Sequence, residues 1–169
     1  HGKNDRPLME KLSEFWRQAC PSLNYVSDAI APDSSRRRVG FFSRYLKSHA
    51  VGYTLKGLLE GLVDKAGNEI EVVLISLADE EDKGWESLKL RVSHSVALPH
   101  DLISARKLIS ELHLDILIYA DIGMDPFSYY LSFARLAPVQ CMLWGHPVTS
   151  GVSTVDYYLS SDKAEPCKA

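Results

Sequence analysis

With 169 residues, 46% of them hydrophobic and 24% charged, the chain has the size and balance of one globular domain plus a short appendage. A net charge of −3 excludes a general electrostatic attraction to nucleic acid, and no apolar stretch is long enough to span a membrane. Three cysteines, Cys20, Cys141 and Cys167, are odd in number, far apart and without CxxC spacing. They argue against a disulfide framework or zinc site and fit a reducing compartment, the cytoplasm or, in a eukaryote, the nucleus.

No signal peptide is visible, and the first residue is His1 instead of Met, so a piece of a longer protein is expected. Asp5 to Cys20 reads as an amphipathic helix, with Leu8, Leu12, Phe15 and Trp16 at helical spacing and Pro21 helping to end it. Pro32, Asp33, Ser34 and Ser35 form a turn-rich linker, which divides a helical segment and linker (1–35) from the main domain (36–169). Arg36, Arg37 and Arg38 precede an apolar run; a solvated strand edge is the first reading and a phosphate contact the second.

Val39 to Ser43 is a short strand, followed by a loop from Arg44 to His49. Val51 to Val63 places Leu55, Leu58, Leu59 and Leu62 on one helical face. Glu69 to Leu77 is a β-branched strand, Ala78 to Gly84 an acidic loop, Trp85 to Leu90 an ambiguous helix and Ser95 to Leu98 a third strand. Asp101 caps a helix to about His113, with Leu102, Ala105, Leu108, Ile109 and Leu112 facing inward. Asp115 to Ala120 is a buried strand. Asp125 and Pro126 start a helix that ends near Arg135, and strands follow at Val139 to Trp144 and Asp156 to Leu159. Short apolar strands alternating with helices predict an α/β fold: a Rossmann-like parallel sheet with helices on both faces.

In such a sheet ligands bind beyond the carboxyl ends of strands, so the polar stops after apolar runs are the places to search. His49 ends the first such loop, just before a helix whose N-terminus favours anions. It would suit a phosphoryl oxygen or acid–base work, although by position alone a surface histidine beside a helix start is the commoner arrangement. The loop has neither GxGxxG nor a P-loop. After Val139 to Trp144 come Gly145, His146, Pro147, Val148, Thr149, Ser150 and Gly151. A titratable ring, two hydroxyls and two glycines there suit a sugar or phosphate; a well-satisfied structural turn is the equal alternative. Asp121, Gly123 and Asp125 follow another strand. Paired carboxylates can work as acid and base, but a cap at Asp125 and a turn at Asp121 explain them more simply, and no metal is expected. His94, His100 and His113 have no partner at ligand spacing, and Tyr129 and Tyr130 read as packing residues. A response-regulator-like domain would need an acidic cluster where this chain has Phe42, Ser43 and Arg44.

The segments RRRVGFFSRYLKSHAVGYTLKGLLEGL, LDILIYADIGMDP, FARLAPVQCMLWGHPVTSG and VDYYLSS, in this order, resemble the catalytic region of the SPINDLY-type O-linked N-acetylglucosamine transferases. The resemblance runs from about Arg36 to Pro166. It implies a GT-B glycosyltransferase with two Rossmann-like lobes and an active site between them, of which this chain is the first. It also implies transfer of a sugar, commonly from UDP-N-acetylglucosamine, to Ser or Thr of an acceptor protein, with inversion and without a metal or other cofactor. Related members use GDP-fucose or put hexose on Asn.

His49 matches the family histidine near the donor phosphates, and Gly145 to Gly151 match the loop written GYPGTSG or GHPxTTG that lines the donor-sugar and acceptor region. The segment Asp5 to Ile30 resembles the helical connection after a tetratricopeptide array. Two departures stand out. Asp121-Ile122-Gly123 replaces the Gly-His-Thr or Gly-Tyr-Thr of many members, and nothing corresponds to the second lobe, which carries most nucleotide contacts in the family. The chain alone is therefore expected to be inactive. A one-lobe binding or regulatory module is the competing reading.

Overall fold

The computed structural model describes residues 4–28, 35–46, 49–67, 69–78, 85–146 and 148–163. In chain order the elements are α1 (Arg6–Ala19), β1 (Arg37–Phe42), α2 (Ala50–Ala66), β2 (Ile70–Leu77), α3 (Glu86–Lys89), β3 (His94–Leu98), α4 (Leu102–Glu111), β4 (Ile116–Tyr119), α5 (Pro126–Leu131), β5 (Val139–Leu143) and β6 (Tyr157–Leu159). A 3-10 turn, Pro21–Leu23, follows α1. The acidic 79–84 stretch, the linker residues Pro32 to Ser34, Pro147 and Cys167 lie outside the described residues.

The six strands form one sheet, ordered β3-β2-β1-β4-β5-β6, with every pairing parallel. Alternation along each strand divides the core. Phe42, Val73, Ile75 and Tyr119 face the cluster that includes Ala105 and Ile109 of α4 and Leu131 of α5. Phe41, Val72, Leu74 and Ile118 face the cluster that includes Leu55 and Leu59 of α2 and Leu88 of α3. Burial on both faces is what continuous Val/Ile/Leu runs require, because their side chains point to opposite sides in turn. Among the described residues no helix is long and apolar enough to cross a membrane.

Three expectations change. The arginine cluster does not sit on a strand edge. β1 is central, and Arg37 pairs with Asp115 at 2.8 Å while Arg38 pairs with Glu71 at 3.0 Å, both at the amino end of the strand. The helix beginning at Asp125 stops at Leu131, short of Arg135. The backbone of Arg135 is engaged elsewhere: its N–H donates to Tyr25 O and its carbonyl accepts from Ser27 N, so it cannot continue a helix. Finally, α1 turns its most apolar residues outward. Leu8, Leu12 and Phe15 are 67%, 40% and 59% exposed, whereas Ser13 is buried. The helix docks instead through Trp16, whose ring meets Tyr130 edge-on at 5.4 Å, and Arg17, stacked 5.0 Å over Phe133.

Candidate functional site

The strand order changes direction between β1 and β4: successive strands run outward from β1 on one side and from β4 on the other. This is the switch point where open α/β sheets leave a crevice. Phe42, Tyr119 and Met142 stand in register across β1, β4 and β5, so the three loops that follow leave the sheet at one level.

The loop after β1 is held over the end of β4 by Asp121. Its Oδ2 accepts the Arg44 backbone N–H at 2.7 Å and the Ser43 hydroxyl at 3.3 Å. The Arg44 guanidinium reaches Asp125 Oδ1 at 2.7 Å, while the other oxygen of Asp125 caps α5 by accepting from Ser128 N at 2.9 Å. The two aspartates therefore clip one loop from both its backbone and its side chain. Their electrostatics differ. Burial pushes Asp121 up to about 6, against the Arg44 amide and the Ser128 and Ser43 hydroxyls, with Asp125 adding to the rise. Burial also raises Asp125, but the Ser128 amide and the Arg44 guanidinium outweigh it and hold that carboxyl below its ordinary value.

His49 is the N-cap of α2, in extended backbone conformation, with Nδ1 accepting the Val51 N–H at 3.3 Å. A neutral ring used this way carries its proton on Nε2 and is a hydrogen-bond donor there. Tyr45 stacks on the imidazole at 4.5 Å and 26°, and its hydroxyl donates to Met124 O at 3.4 Å. The helix start is thereby tied to the β4 loop.

The β5 loop closes the group. Gly145 lies so close to β4 that a Cβ there would stand 2.3 Å from Ala120 O. Gly123, at φ +93°, lies under His146, whose Nδ1 would be 2.8 Å from a Cβ at that position. His146 Nδ1 accepts from Val148 N at 3.4 Å, so its neutral ring also donates from Nε2. Beside these loops lies an apolar cleft of about 200 Å³, bounded by Val51, Leu55, Leu58, Leu143 and Trp144.

His49, Asp121, Gly145 and His146 thus meet at one end of the sheet. Asp121 is fully buried, so its contact is with the loop backbone and not with solvent. Pro147 lies outside the described residues. The Thr149 hydroxyl accepts from Gly151 N at 3.4 Å, and the buried Ser150 hydroxyl accepts from Val152 N at 3.2 Å. Thr149, Ser150 and Gly151 line an open groove of about 890 Å³ against α1. Sequence reasoning passed over Arg44 and Tyr45, which lock the first loop. Their only signal was their place directly after a buried strand. Among the described residues no group of three or more His, Cys, Asp or Glu could hold a metal ion.

No family model and no curated protein matches the sequence. Among solved structures, a mutant of the Thermobaculum terrenum O-GlcNAc transferase matches with a TM-score of 0.74 and 23% sequence identity. The match covers 94% of this chain and 31% of that one, so this chain spans about a third of that protein. At this identity the two share a fold: a parallel, Rossmann-like α/β lobe consistent with a GT-B lobe.

Proposed function

We propose that this chain is the first lobe of an inverting protein O-glycosyltransferase of the SPINDLY-type kind. Its switch-point mouth faces a nucleotide-sugar, UDP-N-acetylglucosamine, and its acceptor is Ser or Thr of a protein, in the cytoplasm or nucleus. The observation that carries this is the convergence of His49 and His146, both Nε2 donors when neutral, on the carboxyl end of a sheet with the 3-2-1-4-5-6 order. In this reading the acceptor hydroxyl attacks the anomeric carbon and gives up its proton to solvent water as the bond to the diphosphate breaks. His49, at the positive end of α2, donates to the leaving phosphoryl oxygen. A second lobe supplies the other wall. Positioning needs both walls, so the lobe alone binds donor weakly and transfers nothing.

Saturation-transfer NMR with UDP-N-acetylglucosamine and GDP-fucose tests this. Signal transfer to the UDP-sugar, lost in His49→Ala and absent for GDP-fucose, is expected. Equal transfer to both sugars, or transfer that survives His49→Ala, contradicts it.

One observation favours a second reading, a non-catalytic binding module. Leu58 and Trp144, 41% and 37% exposed, flank the apolar cleft beside the mouth. That reading predicts no donor contact and an apolar partner seated in the cleft.

A further inference from the structure

The loop that carries Thr149, Ser150 and Gly151 is not held by the sheet alone. Gly151 O accepts the hydroxyl of Ser13, from the middle of α1, at 2.7 Å. Ser13 is 4% exposed, although it sits on a helix whose leucines face solvent. Gly151 has φ +64°, and a Cβ there would stand 2.2 Å from the carbonyl carbon of Met9 and 2.5 Å from Glu10 N. Helix backbone and loop backbone therefore touch, and only glycine allows it. One turn further along α1, Arg17 Nη2 donates to Thr154 Oγ1 at 3.1 Å and Nη1 to Phe133 O at 3.3 Å. Thr154 in turn donates to Ser132 O at 2.6 Å.

A helix placed to bury apolar area would turn Leu8, Leu12 and Phe15 inward. This one docks through Trp16, in the cluster that buries Val152, and adds a buried serine and an arginine that both meet the segment 151–154. Within that loop, the hydroxyls of Thr149 and Ser150 accept amides two residues on, which fixes its local shape but not its place. The rigid-body position of the loop is set from the α1 side by Ser13 and the Met9–Glu10 backbone, beside the burial of Val152 against Leu23 and Phe133.

We infer that α1 is the positioning element of the 149–152 loop and that Ser13 is its positioning residue, acting through Gly151. Ser13 sets the wall of the groove between α1 and the loop. Its consequence for donor or acceptor rests on the function proposed above, whereas the positioning itself does not.

Amide hydrogen exchange on the whole chain, read by NMR, tests it. Ser13→Ala deletes the hydrogen bond to the half-buried Gly151 carbonyl, a change that speeds local opening about fivefold to tenfold. The expected result is that increase at Gly151 and Val152, with the β-sheet amides unchanged. Ser13→Thr keeps the hydroxyl and restores protection, and Leu12→Ala, on the outer face of the same helix, changes nothing at the loop. Gly151→Ala approaches the contact from the other side and speeds exchange within the 9–13 turn of α1. Unchanged exchange at Gly151 and Val152 in folded Ser13→Ala overturns the inference, as does an equal rise throughout the sheet. UDP-N-acetylglucosamine added to the wild type and to Ser13→Ala separates the two claims. If the wild type shows no donor-induced shifts, the proposed function fails while the exchange result still decides the role of Ser13. If donor shifts at 149–152 are present in the wild type and lost in Ser13→Ala, positioning and function are linked.

Discussion

The imidazole of His146 occupies the space directly over Gly123, with Nδ1 2.8 Å from where a Cβ on residue 123 would be. Glycine at 123 is therefore required twice, once by its φ of +93° and once by the ring above it. Gly123→Ala is expected to cost about 1–3 kcal/mol of stability and to displace His146. Thermal unfolding together with the His146 ring resonances checks it; an unmoved ring contradicts the packing described.

Asp121 makes stability depend on pH in a direction opposite to most carboxylates. Its folded-state value is pushed up to about 6 from an ordinary value of 3.8. Between these values the folded state holds a proton that the unfolded state has lost. Its contribution is therefore fully present below about pH 4 and is lost as pH rises through 6, by up to about 3 kcal/mol. Asp125, Asp156 and Asp101, held below their ordinary values, act the other way. The clean quantity is the stability difference between wild type and Asp121→Asn, measured by denaturant unfolding from pH 4 to 7.5. Wild type is expected to lose ground against Asn across that range. A flat difference contradicts the buried, unshared carboxyl oxygen that Asp121 presents among the described residues.

Tyr45 holds His49 by stacking, and its hydroxyl reaches Met124 O. Tyr45→Ala is expected to remove about 0.5–1.5 kcal/mol and to release the His49 ring, whereas Tyr45→Phe keeps the ring order and loses only the hydroxyl bond. The line widths and shifts of the His49 Hε1 resonance distinguish the two variants.

Two arginines, Arg106 of α4 and Arg38 of β1, should respond differently to the same change. Arg106 is buried, donates from Nη1 to Ser22 O at 2.8 Å, and its Nε and Nη2 meet no partner among the described residues. Arg38 donates to Glu71 at 3.0 Å and to Leu112 O at 2.7 Å. Arg106→Met is expected to shift stability by less than about 1 kcal/mol, because relief of a poorly paired buried charge offsets the lost bond. Arg38→Met leaves the Leu112 carbonyl without its donor and Glu71 with His94 alone, and should cost about 1–3 kcal/mol. Denaturant midpoints of the two variants compare them directly.

The sheet was legible because its strands are buried on both faces, and a run such as Ile70 to Leu77 has no other use. Asp101 and Asp125 cap the helices expected of them, at Ser104 N and Ser128 N. His49 was legible as the residue before a helix, and it is the cap. What the sequence hid depends on contacts distant along the chain. The early end of α5 follows from Tyr25 and Ser27 taking the Arg135 backbone, and no local pattern announces that. The outward face of α1 follows from Ser13 meeting Gly151 across 138 positions, against the helix's own periodicity. Asp121 looked like a turn residue. Its grip on the Arg44 amide depends on β1 and β4 being neighbours, which the order of elements alone leaves open.

The central claim is that a nucleotide-sugar meets this lobe at the carboxyl end of β1, β4 and β5. The most direct test is a ¹⁵N–¹H correlation titration of the chain with UDP-N-acetylglucosamine. One wall of a cleft should give fast-exchange binding at about millimolar strength. The account predicts shifts centred on His49, Val51, Gly123, Gly145 and His146, abolished by His49→Ala. Shifts centred on the opposite end of the sheet, around Arg37 and Asp115, or none at all at about 10 mM donor, roughly ten times the expected dissociation constant, would contradict it.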